Sequence, residues 1–309
     1  MSGSVLFDVP GPRARRRNAI IAAVGSAILL LLVVLVIRAL AHNGEFTAAK
    51  WNPFLEWSTW RFYLLTGIWN TLKAAIAAVV LAMIFGFVFG VGRLSQNTAI
   101  RWISGAVVEF FRAVPVLIMM IFFFGIYAYN GVFPAAWNPF AAVVTALTLY
   151  NGSVIAELVR SGVFGLPKGQ AEAGLSVGLT PGQTLRAIQL PQAITAMLPA
   201  LVSQLVVILK DTALGTIITY PELLQQAQNL ASARSNVIPA LLVAAALFIS
   251  INYLLTWLAG RLEARINNRG HTAGGAIGRA PTVPGAPVDQ AHASALTPRE
   301  ARANAAEAP

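Results

Sequence analysis

Six apolar stretches dominate the sequence, and each is close to the length of a membrane-spanning helix. They cover residues 19–37, 72–91, 105–129, 140–159, 193–209 and 237–260. A helix needs about 20 apolar residues to cross a hydrocarbon core about 30 Å thick. Only 11% of the residues are charged, compared with about 25% in soluble domains. The sequence therefore predicts an all-α membrane protein with six transmembrane helices and excludes an ordinary soluble fold.

The chain lacks the residues that most enzyme and metal sites within a membrane require. It has no cysteine, and its three histidines, His42, His271 and His292, lie outside the predicted spans. Cysteine nucleophiles and histidine-based dyads, haem sites or metal sites within the membrane are therefore excluded. The pattern Gly-x-x-x-x-Gly-Lys-Ser/Thr, which binds nucleotide phosphates, is also absent. We predict no catalytic residue, no metal and no cofactor bound by this chain.

The N-terminus carries a basic cluster directly before the first apolar run. Four arginines within residues 13–17 end a polar segment, residues 1–18, which is expected to be cytosolic. A signal peptide is an alternative, because residues 39–41 (Ala-Leu-Ala) resemble a cleavage site. The apolar run is, however, longer than the roughly 7–15 residues of a secretory signal. We therefore predict an uncleaved anchor helix over residues 19–41.

The distribution of aromatic and basic residues predicts the topology. Residues 42–66 contain several tryptophans among polar residues, which is typical of the membrane–water interface, and we predict an external interfacial segment. If the N-terminus is inside, the inner loops hold most of the lysines and arginines, as cytoplasmic loops do. Both termini and the loop of residues 160–191 are then cytoplasmic. Residues 270–309, rich in Ala, Gly and Pro, are predicted to be a disordered cytosolic tail.

The net charge of +10 does not by itself point to nucleic acid. The basic residues lie in short clusters beside apolar spans rather than along one polar face. Membrane topology explains this arrangement, because cytoplasmic loops concentrate lysine and arginine. We therefore predict the lipid bilayer as a partner and no nucleic-acid partner.

The loop between the fourth and fifth spans carries strong helix-boundary signals. Pro167 suits the first position of a helix, and Gly178 suits the left-handed residue just past a helix end. Thr180 and Gln183 have the spacing of a capping box, in which two side chains satisfy backbone N–H groups at a helix start. Pro191 is predicted to end the second helix and to begin the next span. The sequence thus predicts a cytosolic helix-turn-helix that projects from the bundle.

The same loop resembles the EAA loop of ABC importer permeases, whose pattern is Glu-Ala-Ala, three residues, Gly, nine residues, Ile, one residue, Leu-Pro. The positions that match in register are Glu172, Ala173, Gly178, Ile188, Leu190 and Pro191. Gly174 stands where the second Ala is usual, and little effect is expected because both residues are small. The resemblance implies a five-helix type I importer core over residues 67–269. The alternative is a hairpin that only connects two spans.

In that family, the first helix of the loop docks into a groove on a cytosolic ATPase subunit. Small side chains at Ala171, Ala173 and Gly174 would let this helix approach its partner closely, and Glu172 would meet a basic group there. The resemblance therefore assigns the coupling to the ATPase to eight residues: Ala171, Glu172, Ala173, Gly174, Gly178, Ile188, Leu190 and Pro191.

Further segments narrow the resemblance to permeases of the polar amino acid uptake family. These segments are residues 111–115 (Phe-Arg-Ala-Val-Pro), 153–160, 167–170, 209–212 and 221–224. The N-terminal and C-terminal extensions look most like those of glutamate permease subunits, so glutamate is the expected substrate. The resemblance also implies two copies of an ABC ATPase subunit that uses ATP and Mg, a second permease that is identical or paralogous, and an extracytoplasmic substrate-binding protein. The expected location is the cell membrane.

Charged residues within the spans are few, and they normally face a cavity or a partner. The candidates for a translocation pathway are Arg112, Asn151, Glu157, Lys210, Asp211 and Thr212. Structural alternatives remain open. Arg112 has a neutralising neighbour in Glu109, three residues away, and Asn151 and Glu157 have the alternative of hydrogen bonds between helices. For an anionic substrate, Arg112 or Lys210 is the natural counter-charge.

Two other transport mechanisms compete with the ABC permease. A secondary transporter usually contains repeated helix sets that frame a site at the midplane, and no convincing internal repeat is evident in these spans. A homo-oligomeric channel for small polar solutes is the other alternative. A channel, however, has no use for a loop that docks on an ATPase.

Overall fold

The computed structural model describes residues 11–274, with side chains described as far as residue 261. The chain divides into two compact units, Met1–Arg261 and Leu262–Pro309, and of the second only the helical backbone up to residue 274 is described. The described residues contain no strand. Their α-helices, in chain order, are α1 (Pro12–His42), α2 (Ala48–Trp51), α3 (Trp57–Thr59), α4 (Leu65–Arg93), α5 (Thr98–Ala113), α6 (Val116–Asn130), α7 (Asn138–Phe164), α8 (Gly169–Ser176), α9 (Pro181–Thr184), α10 (Leu190–Asp211), α11 (Leu223–Arg234) and α12 (Val237–Gly274).

The two terminal segments predicted from the sequence are only partly described. Residues 1–10 of the basic N-terminus and residues 275–309 of the predicted disordered tail lie outside the described residues. The first residues of that predicted tail, as far as Gly274, belong to α12. The anchor predicted over residues 19–41 lies within α1, none of whose residues is buried, as expected of an apolar helix that faces lipid.

Five helical segments are long and apolar enough to cross a membrane. They are Pro12–His42, Trp57–Arg93, Ala135–Phe164, Pro181–Ile218 and Val237–Arg261. The pair formed by α5 and α6 also meets this criterion, but the two helices are bent by 98° relative to each other. If the bent pair is counted as one crossing, the described residues contain the six predicted spans. The predicted all-α membrane fold is therefore confirmed.

The continuous span predicted over residues 105–129 is wrong, because the chain breaks between α5 and α6. Val114 has an extended backbone (φ −83°, ψ 126°), and Pro115 caps α6. Proline lacks a backbone N–H and disfavours a helical conformation in the residue before it. The apolar character continues across the bend, so hydropathy alone does not reveal it.

The predicted helix end at Pro191 is also wrong, because Pro181–Ile218 is helical throughout. A five-residue π-turn, Leu185–Gln189, precedes α10, and Pro191 lies in the first turn of α10. The wider π-turn shifts the hydrogen-bonding register, so the missing N–H of the proline does not end the helix. The predicted hairpin and the fifth span therefore share one helix.

The second span begins much earlier than the predicted residue 72. Its helix starts at Trp57 and continues through a π-turn, Trp60–Leu64, into α4. Thr59 and Leu64 are buried, so packing against the bundle stabilises this early start. The part of the predicted interfacial segment that precedes the span is consequently shorter, and it contains only α2 and the 3-10 turn Asn52–Leu55.

Close packing between α4 and α7 forms the centre of the bundle. Gly86 and Gly90 have the spacing of a small-xxx-small helix contact, and both are buried on the face of α4 that meets α7. A Cβ atom at Gly86 would lie 2.6 Å from Ile155 Cβ and 2.9 Å from the Gly152 carbonyl oxygen. Ile155 is fully buried. The two glycines therefore let α4 and α7 pack closely, and α7 occupies the position of Gly86's missing side chain.

We expect Gly86→Ala to destabilise the folded bundle by about 1–3 kcal/mol, because overpacking a tight helix contact forces a backbone shift. Gly125→Ala in α6 is the matched control, since nothing lies within 4 Å of a Cβ atom at Gly125. The thermal unfolding midpoints of the two variants in detergent, followed by tryptophan fluorescence, make the comparison. Equal midpoints for the two variants would show that the α4–α7 contact tolerates a methyl group.

Three hydrogen bonds hold the start of α11 against α4. The Asn70 side-chain amide donates to the Pro221 carbonyl at 2.8 Å, and the Tyr220 hydroxyl donates to the Asn70 carbonyl at 2.8 Å. The backbone N–H of Leu223 donates to the Thr71 hydroxyl at 3.1 Å. These contacts fix the segment that connects the span ending at Ile218 with α12.

Glu222 begins α11 and is fully buried. Its carboxylate accepts hydrogen bonds from the backbone N–H groups of Leu224 (2.8 Å) and Gln225 (2.7 Å). Burial nevertheless raises the pKa of Glu222 to about 7, because desolvation of the charged form outweighs these two bonds. The cap is therefore sensitive to pH near neutrality.

A pKa that is higher in the folded state than the ordinary 4.5 makes the folded state the better proton acceptor. The contribution of protonated Glu222 to the free energy of unfolding is fully present below pH 4.5 and is lost as pH rises through about 7. We therefore expect the thermal midpoint of the wild type to fall more steeply between about pH 5 and pH 8 than that of Glu222→Gln. Parallel pH profiles of the two proteins would contradict this assignment.

Candidate coupling surface and translocation pathway

The loop after α7 turns back on itself between α8 and α9, and two of its four predicted boundary signals are found where the sequence placed them. Gly178 follows α8 with a left-handed backbone (φ +85°), and Thr180 and Gln183 form the predicted capping box at the start of α9. Pro167, predicted at the first helical position, instead lies just before the N-cap residue Lys168. We call the segment from α8 to the π-turn, residues 169–189, the hairpin.

The eight residues predicted to contact an ATPase do not all lie on the hairpin's outer face. Glu172, Ala173, Gly178 and Pro191 are exposed, whereas Ala171, Ile188 and Leu190 are half-buried and Gly174 is buried. Leu190 packs against the main hydrophobic core. The eight residues are therefore of two kinds: exposed ones, which a partner could contact, and buried or half-buried ones, which pack within the hairpin or against the bundle.

Gly174 corrects one expectation drawn from the sequence. A Cβ atom at Gly174 would lie 2.6 Å from Thr184 Cγ2 and 3.0 Å from Ile188 Cδ1. The position therefore faces the second half of the hairpin, and it is not available to a partner. An alanine there would force Thr184 or the backbone to move, so the prediction that Gly and Ala are interchangeable at this position is wrong.

Five charged side chains from α4, α5 and α7 form one cluster. Glu157 accepts hydrogen bonds from Arg93, at 2.7 Å, and from Arg160. Arg93 also donates to Glu109 at 2.9 Å. Arg112 Nη1 lies 3.6 Å from a carboxylate oxygen of each glutamate. We call these residues the charge cluster; its three arginines and two glutamates leave one net positive charge.

The charge cluster brings together two of the six residues predicted to line a pathway, Arg112 and Glu157. The predicted pairing of Glu109 with Arg112 is confirmed. Arg93 was not among the residues singled out from the sequence, because its partner Glu157 is 64 residues away. The spacing of residues three or four apart on one helix could not predict the contact between Arg93 and Glu157, because the two residues lie on different helices.

Asn151 lies elsewhere, in a contact between α7 and α10. It is fully buried, and its side-chain oxygen accepts a hydrogen bond from Gln204. Its side-chain amide donates to the Leu147 carbonyl at 3.1 Å. The structural alternative, a hydrogen bond between helices, is thus the contact that the structure contains. Gln204 was not singled out from the sequence, although it is a polar residue within an apolar span.

The remaining three candidates lie at the end of α10. Thr212 is fully buried and donates to the Leu209 carbonyl at 2.7 Å. Asp211 is half-buried, whereas Lys210 is exposed and lines a mainly apolar cavity of about 570 Å³ together with residues of α11 and α12. Adjacent residues on a helix point in different directions, which explains why these neighbours differ in exposure. Asn252 of α12 also lines this cavity.

The described residues thus form a multi-span helical membrane protein with a charge cluster between its helices and a hairpin at the end of one span. Residues 78–268 match the family described as binding-protein-dependent transport system inner membrane component. The match covers more than half of the chain, and the chain therefore belongs to this family.

Individual relatives agree with the family match. The chain is 47% identical over 227 residues to a glutamate transport system permease protein of Corynebacterium glutamicum, covering 74% of this chain and 83% of the relative. It is 35% identical to a probable glutamine ABC transporter permease protein of Bacillus subtilis, covering 73% and 97%. A crystal structure of an amino acid ABC transporter with histidines superimposes with a TM-score of 0.60 at 27% identity, covering 65% and 92%.

The resemblance drawn from the sequence is thereby confirmed. The chain is an ABC importer permease of the polar amino acid uptake family and a multi-pass inner membrane component. Members of this family are transport components rather than catalysts. Within the described residues, no group of three or more histidine, aspartate or glutamate side chains has the arrangement of a metal site.

Proposed function

We propose that this chain is the translocation subunit of an importer for acidic amino acids, with glutamate as its main substrate, and that a separate subunit hydrolyses ATP. The observation that carries the substrate is the 47% identity to a glutamate transport permease over most of both chains. The one net positive charge of the charge cluster also favours an anionic solute. The absence of a phosphate-binding loop supports a separate ATPase, which would use ATP and Mg.

The hairpin is the part of the chain suited to receive force from that ATPase. Glu172 and Ala173 are exposed on α8, and the side chains of Gln192 and Gln170 are joined by a hydrogen bond of 2.9 Å that ties α8 to α10. A partner that moves α8 therefore also moves the fifth span. Two ATPase subunits, each seated on the hairpin of one permease, would draw the two hairpins together when nucleotide closes them. The second permease is an identical or paralogous chain.

The pathway follows from where the candidate residues lie. Arg112 and Lys210 line cavities, and we assign them contact with solute. Asn151 and Thr212 are fully buried, and we assign them support of the helices that form the path. Glu157 orients the arginines of the charge cluster, and Asp211, which is half-buried, remains a candidate for the path. Access alternates between the two sides, and an extracytoplasmic binding protein delivers the amino acid. Both termini and the hairpin are cytoplasmic, the segment before Trp57 is external, and α1 is retained as an anchor.

The function is tested by uptake into proteoliposomes that contain the permease, its ATPase and its binding protein. ATP-dependent uptake of labelled glutamate is expected, with aspartate a stronger competitor than glutamine and with no loss when an ionophore is added. Uptake that needs an ion gradient instead of ATP would favour a secondary transporter, and uptake without any energy source would favour a channel. Either result would overturn the proposal.

The topology is tested separately by cysteine labelling. Because the sequence contains no cysteine, a single introduced cysteine is the only site that a thiol reagent can label. Val177 at the end of α8 is 76% exposed, so Val177→Cys is accessible to a thiol reagent. With a thiol reagent that does not cross the membrane, we expect labelling of Val177→Cys in inverted vesicles, whose cytoplasmic side faces the reagent. We expect no labelling in right-side-out vesicles. Labelling from the exterior would place the hairpin on the wrong side for an ATPase.

A further inference from the structure

Arg112 differs from the other arginines of the charge cluster in how it is held. Arg93 and Arg160 donate hydrogen bonds directly to carboxylates. Arg112 lies 3.6 Å from both Glu109 and Glu157, beyond the usual hydrogen-bond distance, and it has no hydrogen bond within the described part of the chain. Its guanidinium is therefore positioned by charge attraction, while its N–H donors are left free.

A polar cavity lies beside these free donors. It measures about 340 Å³ and is lined by Glu109, Arg112, Ala113, Tyr150 and Val154. The Tyr150 hydroxyl likewise makes no hydrogen bond to any described residue, and 60% of the Glu109 side chain is exposed. The lining of the cavity thus includes three kinds of polar group: the planar cation of Arg112, the hydroxyl of Tyr150 and the carboxylate of Glu109.

We propose that this cavity is a binding site for a free acidic amino acid. The guanidinium of Arg112 forms a bidentate pair with a carboxylate of the solute, a geometry for which its planar fork is suited. The carboxylate of Glu109 accepts from the α-ammonium group, and the Tyr150 hydroxyl donates to the second carboxylate. The proposal rests on the proposed function, and it assigns that function a specific site.

The charge balance favours an acidic solute over a neutral one. The charge cluster holds three arginines and two glutamates, so a solute with one net negative charge completes the neutralisation. A neutral amino acid also presents a carboxylate and an ammonium group, but it leaves the surplus charge in place. The side chains of Arg93 and Glu157 are mostly shielded from water, so charges in the cluster interact more strongly than in bulk solvent and the surplus charge is costly. Selectivity for glutamate over glutamine is the expected consequence.

The site is tested by equilibrium binding of tritiated L-glutamate to the assembled permease–ATPase complex in nanodiscs, without the binding protein. Arg112→Lys keeps the charge but loses the bidentate geometry, and we expect it to weaken binding about tenfold or more. Tyr150→Phe leaves the charge cluster untouched, and we expect about a threefold loss from one hydrogen bond. Arg101→Lys is the matched control on α5, because among the described residues the Arg101 side chain donates hydrogen bonds only to Ser95 and Thr98. The glutamate affinity of this variant should match that of the wild type.

The outcomes separate the site from the function. The site is overturned if Arg112→Lys and Tyr150→Phe complexes both bind glutamate as tightly as the wild type, or if the wild-type complex shows no saturable glutamate binding. The proposed function fails separately, if the wild-type complex with its binding protein shows no ATP-driven uptake of any amino acid. Intact assembly with the ATPase, measured by copurification of each variant, excludes misfolding as the cause of a loss.

Discussion

Glu157→Gln is expected to lower the thermal unfolding midpoint of the permease markedly and to abolish most uptake. Glu157 has contacts with Arg93, Arg112 and Arg160, and its side chain is only 22% exposed. Removing its charge leaves three neighbouring arginines with Glu109 as the remaining carboxylate of the charge cluster. Breaking a buried pair costs about 3–5 kcal/mol, and we expect about 2–3 kcal/mol here because solvent screens part of the repulsion.

Glu109→Gln is the matched comparison, since it makes the same substitution within the same cluster. The Glu109 side chain is 60% exposed and contacts two arginines, so we expect a loss of stability of only about 0–1 kcal/mol. Thermal midpoints of the two purified variants, with intrinsic tryptophan fluorescence as the signal, measure the difference. If Glu157→Gln is no less stable than Glu109→Gln, the cluster does not hold α5 to α7.

Gly178→Val is expected to abolish both copurification of the ATPase and coupled uptake. Gly178 has a φ of +85°, a left-handed conformation that a β-branched residue adopts only with strain. The turn between α8 and α9 depends on that conformation, so a valine there displaces α8 and the exposed Glu172. Glu172→Ala, which leaves the turn intact, is expected to weaken the ATPase contact while the hairpin stays folded.

Gly182→Val provides the control for the turn. Gly182 lies within α9, and nothing is within 4 Å of a Cβ atom at this position. We therefore expect this variant to retain ATPase copurification and uptake. Wild-type uptake by both Gly178→Val and Glu172→Ala would show that the hairpin only connects two spans.

Local signals were sufficient to predict much of this fold. The lengths of the apolar runs predicted the spans, and the capping box at Thr180 and the left-handed Gly178 followed from residues a few positions apart. The bend at Pro115 was missed because hydropathy averages over a window and does not register a missing N–H. Pro191 was misread because a π-turn, which has no clear sequence signature, allows the helix to continue.

The parts of the candidate site that depend on distant residues were less predictable. The contact of Arg93 with Glu157 and that of Asn151 with Gln204 join different helices. The spacing of residues along one helix cannot predict such contacts. The role of Gly174 was misjudged for the same reason, since its closest neighbours belong to the other half of the hairpin. A sequence identifies which polar residues are costly in a membrane, but only the packing shows which of them meet.

The uninterrupted helix Pro181–Ile218 has a mechanical consequence. It contains 38 residues, with a π-turn near its start and Pro199 in its interior, and at about 1.5 Å per residue it is about 57 Å long. When a helix of that length moves as one body, a tilt of about 5° at the hairpin end displaces the opposite end sideways by about 5 Å. Under the proposed function, a small rotation imposed by the ATPase on the hairpin would be amplified into a displacement comparable to the width of an amino acid.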